Sequence, residues 1–215
     1  MNVLGASILL PEIDGYLATI QNELQNIGKI ELLDFLDLLV MARLEGKQIF
    51  TMGNGGSAAT ASHFVCDFNK GLSYGNRKKY RAICLNDNFP TVMAYANDVS
   101  YDAVFIEQLK NFMRAGDLVI GISGSGNSMN VVNAIDWANQ NGGETIALVG
   151  YDGGRLKNIS RHCIHVKIND MQVVEDVHMV VVHMCMRILS KLSQERESPC
   201  RRPRITESQE VPWST

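Results

Sequence analysis

The sequence predicts an α/β protein, a three-layer sandwich in which helices cover both faces of a central parallel β-sheet. Short β-prone segments alternate with helical segments along the chain, as in parallel strands joined by crossover helices. Turn residues, mostly glycine, stand where the predicted strands end. A chain of 215 residues is long enough for one domain with a sizeable core.

The first helical region spans residues 14–46, where apolar residues recur at three- and four-residue spacings. Gly28 divides this region into two helices. The second is apolar around much of its circumference, which indicates burial against a partner chain as well as against its own core. We therefore expect these N-terminal helices to form the contacts of a homo-oligomer.

Strands and helices then alternate through the rest of the chain. The predicted strands are the β-prone run that ends at the glycines of KQIFTMGNGG (47–56), followed by 81–85, 117–123, 145–150 and 162–168. The predicted helices are 57–71, closed by Gly71, 98–113, with Asp98 near its start, 129–142, closed by Gly142, 153–160 and 173–192.

The predicted domain covers residues 1–192, and a polar segment without periodicity covers 193–215. Its composition, interrupted by prolines, is typical of a disordered tail. A docking peptide ending at Trp213 is the alternative interpretation.

The overall charge and the cysteines exclude several classes of protein. A net charge of −3 provides no basic face for nucleic acid or for a membrane surface. The longest apolar runs are shorter than the roughly 20 residues that a transmembrane helix needs. Five cysteines without a CxxC spacing favour a reducing compartment over a disulfide framework. No signal peptide is recognisable, so we expect a cytoplasmic protein.

Two loops rich in glycine and serine follow predicted strands, GNGGS (53–57) and SGSGNS (123–128). Ligands of open α/β sheets bind beyond the carboxyl ends of the strands. Glycine lets backbone N–H groups approach an oxyanion, and the following helix N-terminus favours negative charge. Neither a P-loop lysine nor a complete GxGxxG is present. The pattern indicates a monophosphate site, and tight structural turns are the alternative.

The segments GNGGSAATASHF and ISGSGNSMNVVNAI resemble the sugar isomerase (SIS) domain, and in particular its phosphoheptose isomerases. The resemblance runs from the N-terminal helices to about residue 192. It implies the flavodoxin-like SIS fold and a sugar phosphate as the small-molecule partner. It also implies substrate contacts from both loops, from an Asn-Asp segment and from the last helix: Asn54, Gly55, Gly56, Ser57, Asn97, Asp98, Ser123, Gly124, Ser125, Ser128 and Glu175.

Aldose–ketose isomerisation needs a base for a carbon-bound proton and an acid for the oxygens. His63 and Asp67 are four residues apart and share a helix face, while Glu175 and His183 lie about 80° apart on the last helix. Any single histidine could instead be a packed or surface residue. The family resemblance implies that Asp67 and His183 are the catalytic pair, and that His63 and Glu175 join them as ligands of a zinc ion in some members.

Three positions depart from the family pattern. Asp67 stands where glutamate is usual, Glu175 where glutamine is usual, and Gly124 where threonine is usual. The shorter Asp67 would reach substrate only through a backbone shift, a metal or a water. The added carboxylate of Glu175 would strengthen divalent-cation binding, or, without a metal, raise one carboxyl pKa.

The resemblance therefore implies an isomerase that converts sedoheptulose 7-phosphate to a D-glycero-manno-heptose 7-phosphate through an enediol. The resemblance implies a tetramer or dimer with its site at subunit contacts. A non-catalytic SIS module that binds a sugar phosphate or a protein partner as a regulator is the alternative from another class, and an isomerase of another ketose phosphate also remains open. An amino-sugar isomerase or lyase would need catalytic groups that the sequence does not offer.

Overall fold

The computed structural model describes residues 5–197, with the side chains of 194–197 excepted. Its centre is a five-stranded sheet in the order β2-β1-β3-β4-β5, and every neighbouring pair is parallel. This confirms the predicted α/β class. The strands are β1 (Gln48–Gly53), β2 (Arg81–Cys84), β3 (Leu118–Ser123), β4 (Glu144–Val149) and β5 (His162–His165).

Helices cover both faces of this sheet. Successive residues of a strand point to opposite faces, so Ile49 joins the core beneath α1, α2, α3 and α8, while Phe50 joins the core beneath α4 to α7. The α-helices are α1 (Ala6–Asn26), α2 (Lys29–Glu45), α3 (Gly56–Cys66), α4 (Phe89–Asp98), α5 (Ile106–Phe112), α6 (Met129–Gln140), α7 (Gly154–Ile159) and α8 (Met171–Glu197).

The predicted helix 98–113 is wrong in its bounds. Asp98 is the last residue of α4, and α5 begins only at Ile106. The Asn88 side chain caps the start of α4 by accepting a hydrogen bond from the Thr91 N–H at 3.3 Å, with proline in the first turn. Ser100 is extended, with φ −172° and ψ 159°, which breaks the helical path after α4.

The outer helices are longer than their apolar patterns indicate. Helix α1 begins at Ala6 rather than residue 14, and α8 runs to Glu197, five residues past the predicted domain end. Residues 198–215 of the predicted tail lie outside the described residues, and their disorder stays a prediction. Within the described residues, no helix combines the length and apolar character needed to cross a membrane.

Candidate active site

The two glycine-serine loops lie side by side where the strand order reverses. Strands β1 and β3 are neighbours, yet β1 leads into α3 on one face and β3 leads into α6 on the other. Flavodoxin-type sheets bind their ligands at this switch point. Gly53 lets the end of β1 lie close to the start of α3 and to β3, because a Cβ there would lie 2.7 Å from the Ser57 carbonyl and 2.9 Å from the Ile122 oxygen.

A reciprocal amide pair joins the two loops. The side chains of Asn54 and Asn130 each donate to the other's oxygen at 2.9 Å, and the Tyr101 hydroxyl also donates to Asn54 Oδ1 at 2.8 Å. Sequence analysis did not select Asn130 or Tyr101. Sequence features that could have identified them are the position of Asn130 in the first helical turn after the serine loop and the position of Tyr101 beside the predicted Asn97-Asp98 segment.

We expect Asn130→Asp to weaken substrate binding, because a carboxylate cannot donate to Asn54 Oδ1 and adds a negative charge in the first turn after the serine loop, which opposes an anionic substrate. A loss of about 1.4 kcal/mol would raise KM about tenfold. The measurement is the initial rate against substrate concentration, with Asn158→Asp, an exposed residue of α7, as the matched control. An unchanged KM in Asn130→Asp would show that the Asn54–Asn130 pair does not contribute to substrate binding.

The serine loop is held by its own hydroxyls and backbone. Ser123 Oγ and Ser128 Oγ are 3.0 Å apart, the Gly126 N–H donates to the Ser123 carbonyl at 3.0 Å, and the Asn127 N–H donates to Ser125 Oγ at 3.2 Å. Ser128 is the N-cap residue of α6, but its side chain does not cap the helix. Hydroxyls and the N-terminus of α6 are thus together at this loop, as an anion site needs.

A second cluster lies farther along α3, where His63, Asp67 and His183 meet. The two Nε2 atoms are 2.9 Å apart, and they lie 3.6 Å and 3.9 Å from Asp67 Oδ2. The histidine side chains are 43% and 54% exposed and the aspartate 19%, so substrate could reach all three. A hydrogen bond between two imidazole nitrogens needs one proton between them, which makes the pair suited to proton transfer.

The backbone departs from α-helical geometry at Asp67. A π-helical turn spans Asp67–Gly71, closed by the Leu72 N–H donating to the Asp67 carbonyl at 3.0 Å. Asn69 fixes this turn to β2 by two hydrogen bonds with Ala82. π-Turns are frequent at functional sites, and this one begins at Asp67, the shorter acid for which the sequence leaves a backbone shift, a metal or a water as the way to reach substrate.

The three side chains of the second cluster could hold a metal ion. Their donor atoms lie within 4.8 Å of one another, and the separations of 2.9, 3.6 and 3.9 Å are close to the roughly 3.4 Å between ligands of a tetrahedral zinc ion. Two imidazoles and one carboxylate form a donor set found at catalytic zinc, with a fourth position left for water.

Glu175 lies apart from this cluster, against the start of α3. Its carboxylate occupies the space that a Cβ on Gly56 would need, so it faces the N-terminus of that helix. One turn earlier on α8, the Met171 thioether occupies the space of a Cβ on Gly124. A side chain at position 124 would collide with this thioether, which explains why glycine suits the position. Helix α8 therefore covers both loops before it reaches His183.

Asn97 and Asp98 lie exposed at the C-terminal end of α4. Asn97 donates to Asp98 Oδ1 at 2.8 Å, and among the described residues this is the only side-chain hydrogen bond of either. Tyr101, three residues farther on, makes the contact with Asn54. Contact of Asn97 and Asp98 with substrate stays a prediction.

His178 is a core residue of α8 rather than a site residue. It is fully buried, its Nε2 donates to the Val149 carbonyl at 3.3 Å, and its Nδ1 has no hydrogen-bond partner among the described residues. Burial lowers the pKa of His178 from 6.5 to about 4, because a proton on Nδ1 would charge a group without water or an acceptor.

We expect acid pH to destabilise the fold through His178. The unfolded histidine takes up its proton near pH 6.5 and the folded one only near pH 4, so stability is complete above pH 6.5 and falls as the pH drops towards 4. At pH 5 the loss is about 2 kcal/mol. Urea unfolding at pH 7.5 and pH 5 measures it, with His178→Leu as the reference. Equal pH dependence in both proteins would contradict the assignment.

Comparisons with known proteins place this geometry in a family. The SIS domain model matches residues 15–150. A probable phosphoheptose isomerase of Thermoplasma acidophilum is 38% identical over 166 residues, 77% of this chain and 90% of that protein. The phosphoheptose isomerase of Geotalea daltonii is 33% identical over 186 residues, 85% of this chain and 96% of that protein.

The fold agrees with a solved structure of the same group. Phosphoheptose isomerase GmhA from Neisseria gonorrhoeae superimposes with a TM-score of 0.78 and 26% identity, over 86% of this chain and 98% of that one. The sequence, the fold and the site all agree with this group. In the site, two glycine-serine loops lie at the switch point of the sheet, and a cluster of one acid and two histidines lies beyond them. The chain belongs to the phosphoheptose isomerases of the SIS domain family.

Proposed function

We propose that this protein is an aldose–ketose isomerase that converts sedoheptulose 7-phosphate to a D-glycero-manno-heptose 7-phosphate. The observation that carries the proposal is the pairing of Asp67, in the turn that follows α3, with His183 of α8, whose Oδ2 and Nε2 atoms are 3.9 Å apart. Helices α3 and α8 also lie against the glycine-serine loops. The name phosphoheptose isomerase on its relatives supports the same activity.

The spacing of the two clusters suits a substrate that reacts at one end and carries its phosphate at the other. Along α3, Ser57 and His63 are six residues or about 9 Å apart. In sedoheptulose 7-phosphate the reacting carbons C1 and C2 and the phosphate on C7 are at opposite ends of the carbon chain. The serine loop and the start of α3 would bind the phosphate, and C1 and C2 would then lie near His183.

The proton then moves between adjacent carbons. A base removes a proton from C1 while an acid protonates the C2 carbonyl oxygen, which gives the enediol. A proton returned to C2 while the C1 hydroxyl gives up its own proton then forms the aldose. Asp67 and His183 would serve as this acid–base pair. His63, hydrogen bonded to His183, would hold the imidazole orientation and accept or return a proton on its far side.

We also propose zinc as the alternative occupant of this cluster, held by His63, Asp67 and His183 in place of the proton between the two imidazoles, with Glu175 able to join only if its side chain leaves Gly56. Bound zinc would polarise the substrate oxygens. We expect one zinc per chain by elemental analysis after dialysis against the metal. His63→Ala should lower this occupancy severalfold, whereas His162→Ala, a histidine of β5, should not. Equal zinc content in His63→Ala would contradict the site.

The oligomer and the location belong to the same proposal. Apolar side chains of α1 and α2 face solvent in the single chain, among them Ile8, Leu17, Ile30 and Leu33, each more than half exposed. Such a surface favours association of copies, and we propose a homotetramer or homodimer.

The four cysteines in the described residues are unpaired, which supports a reducing compartment such as the cytoplasm.

A panel of ketose phosphates tests the proposed activity. Purified protein is incubated separately with sedoheptulose 7-phosphate, fructose 6-phosphate and ribulose 5-phosphate, and the aldose products are quantified by NMR. We expect the highest kcat/KM with the seven-carbon substrate. Preference for a shorter ketose would assign another substrate to the site, and binding without turnover of any of them would support a regulatory module instead.

A further inference from the structure

A groove between α2, the segment 77–80 and the C-terminal half of α8 lies outside the candidate active site. Val40 and Leu44 of α2 and Leu189 and Leu192 of α8 form its apolar walls. Leu44 is 47% and Leu192 44% exposed. The cavity of about 230 Å³ is larger than the roughly 150 Å³ apolar cavity that binds benzene, so a larger aromatic ring can enter.

Cations and an unpartnered hydroxyl stand at the same groove. Arg43, Arg77 and Lys78 line it, and among the described residues none of them is within 4 Å of a carboxylate oxygen. Tyr80 is 4% exposed, and its hydroxyl has no hydrogen-bond partner in the described part of the chain. The groove therefore suits an occupant with an aromatic group and negative charge.

We propose that residues 207–215 of the same chain dock in this groove, with Trp213 between its apolar walls. This segment, ESQEVPWST, carries Glu207, Glu210 and no cation. The segment before it, 198–206, carries three arginines and no acid, so the cations of the groove would repel it. Charge and apolar character thus select the distal segment as the occupant.

The position of the groove puts the segment within reach. Ser193 of α8 lines the groove and accepts a hydrogen bond from Arg43 Nη1 at 2.8 Å, four residues before the end of α8 at Glu197. The sixteen residues from there to Trp213 can span about 50 Å when extended. The entropy of closing such a loop grows only with the logarithm of its length.

Fluorine NMR of the full chain labelled with 5-fluorotryptophan tests the docking. The chain has two tryptophans, so Trp213→Phe assigns the Trp213 resonance and leaves that of Trp137. We expect the Trp213 resonance to be shifted and broadened relative to the free amino acid. The double variant Arg77→Glu/Lys78→Glu should return it to the free position. Lys157→Glu/Lys167→Glu, with both changes near the opposite, β5 edge of the sheet, should leave it shifted.

Three results would overturn the proposal. A Trp213 resonance at the free position in the unmodified chain would show that the segment does not dock. A shifted resonance that ignores the charge reversal at residues 77 and 78 would place Trp213 on another surface. A shift that disappears on dilution would assign the groove to the segment of a second copy rather than of the same chain.

Discussion

We expect His183→Ala to lower kcat on sedoheptulose 7-phosphate by about 10² to 10⁴, the range that a positioned acid or base contributes. His183 Nε2 lies 2.9 Å from His63 Nε2 and 3.9 Å from Asp67 Oδ2. Removing its imidazole therefore takes away one member of the proposed proton-transfer pair. KM should change little, because the phosphate loops are untouched. Initial rates at saturating substrate measure the effect.

The control for this result is His162→Ala, which removes a histidine of β5 outside the cluster and should keep kcat within about twofold of the unmodified protein. Asp67→Asn should show the same kind of loss as His183→Ala, because an amide neither accepts nor returns the proton. A His183→Ala protein with near-normal kcat would exclude His183 from the chemistry, and Asp67 would then need another partner.

We expect Gly126→Ala to damage the serine loop in both structure and binding. Gly126 has φ +66°, and a Cβ there would overlap the Gly153 carbonyl. The strain should cost about 2 kcal/mol of the free energy of unfolding. Displacing the loop from Ser123 and Ser128 should raise KM tenfold or more, since 1.4 kcal/mol of lost phosphate binding is a factor of ten.

Urea unfolding and initial rates measure the two effects of Gly126→Ala. Gly15→Ala is the matched control, because Gly15 lies within α1 with nothing within 4 Å of its Cβ position. That change should leave KM unaltered and stabilise the helix by about 0.5–1 kcal/mol. Normal phosphate-ester binding by Gly126→Ala would show that the serine loop does not hold the phosphate.

The sheet was predictable because each strand is a short apolar run followed by turn residues. The predicted 117–123 differs from β3 by one residue at its start, and the predicted 145–150 differs from β4 by one residue at each end. Helix α4 was missed, because Asp98 and the Asn88-Phe89-Pro90 segment both carry the signal of a helix start, and local sequence alone does not choose between them. That choice depends on the tertiary position of the segment.

The candidate site was predictable where its residues share a helix or a family motif. His63 on α3 and Asp67 in the π-helical turn that follows it are one turn apart, and the family resemblance adds His183, which the structure brings to them. The pairing of Asn130 with Asn54 was not predictable, because it joins residues 76 positions apart. The contact of Glu175 with the start of α3 likewise depends on how α8 packs, which periodicity alone does not determine.

The most direct measurement of the central claim is the position of deuterium in the product. Sedoheptulose 7-phosphate is converted by the protein in deuterated water, and the aldose is analysed by NMR. Proton transfer through an enediol predicts deuterium at C2 of the product, formed by the unmodified protein and strongly reduced in rate in His183→Ala. Product without deuterium at C2, or equal rates for both proteins, would contradict solvent-exchanging enediol isomerisation by the His183 cluster.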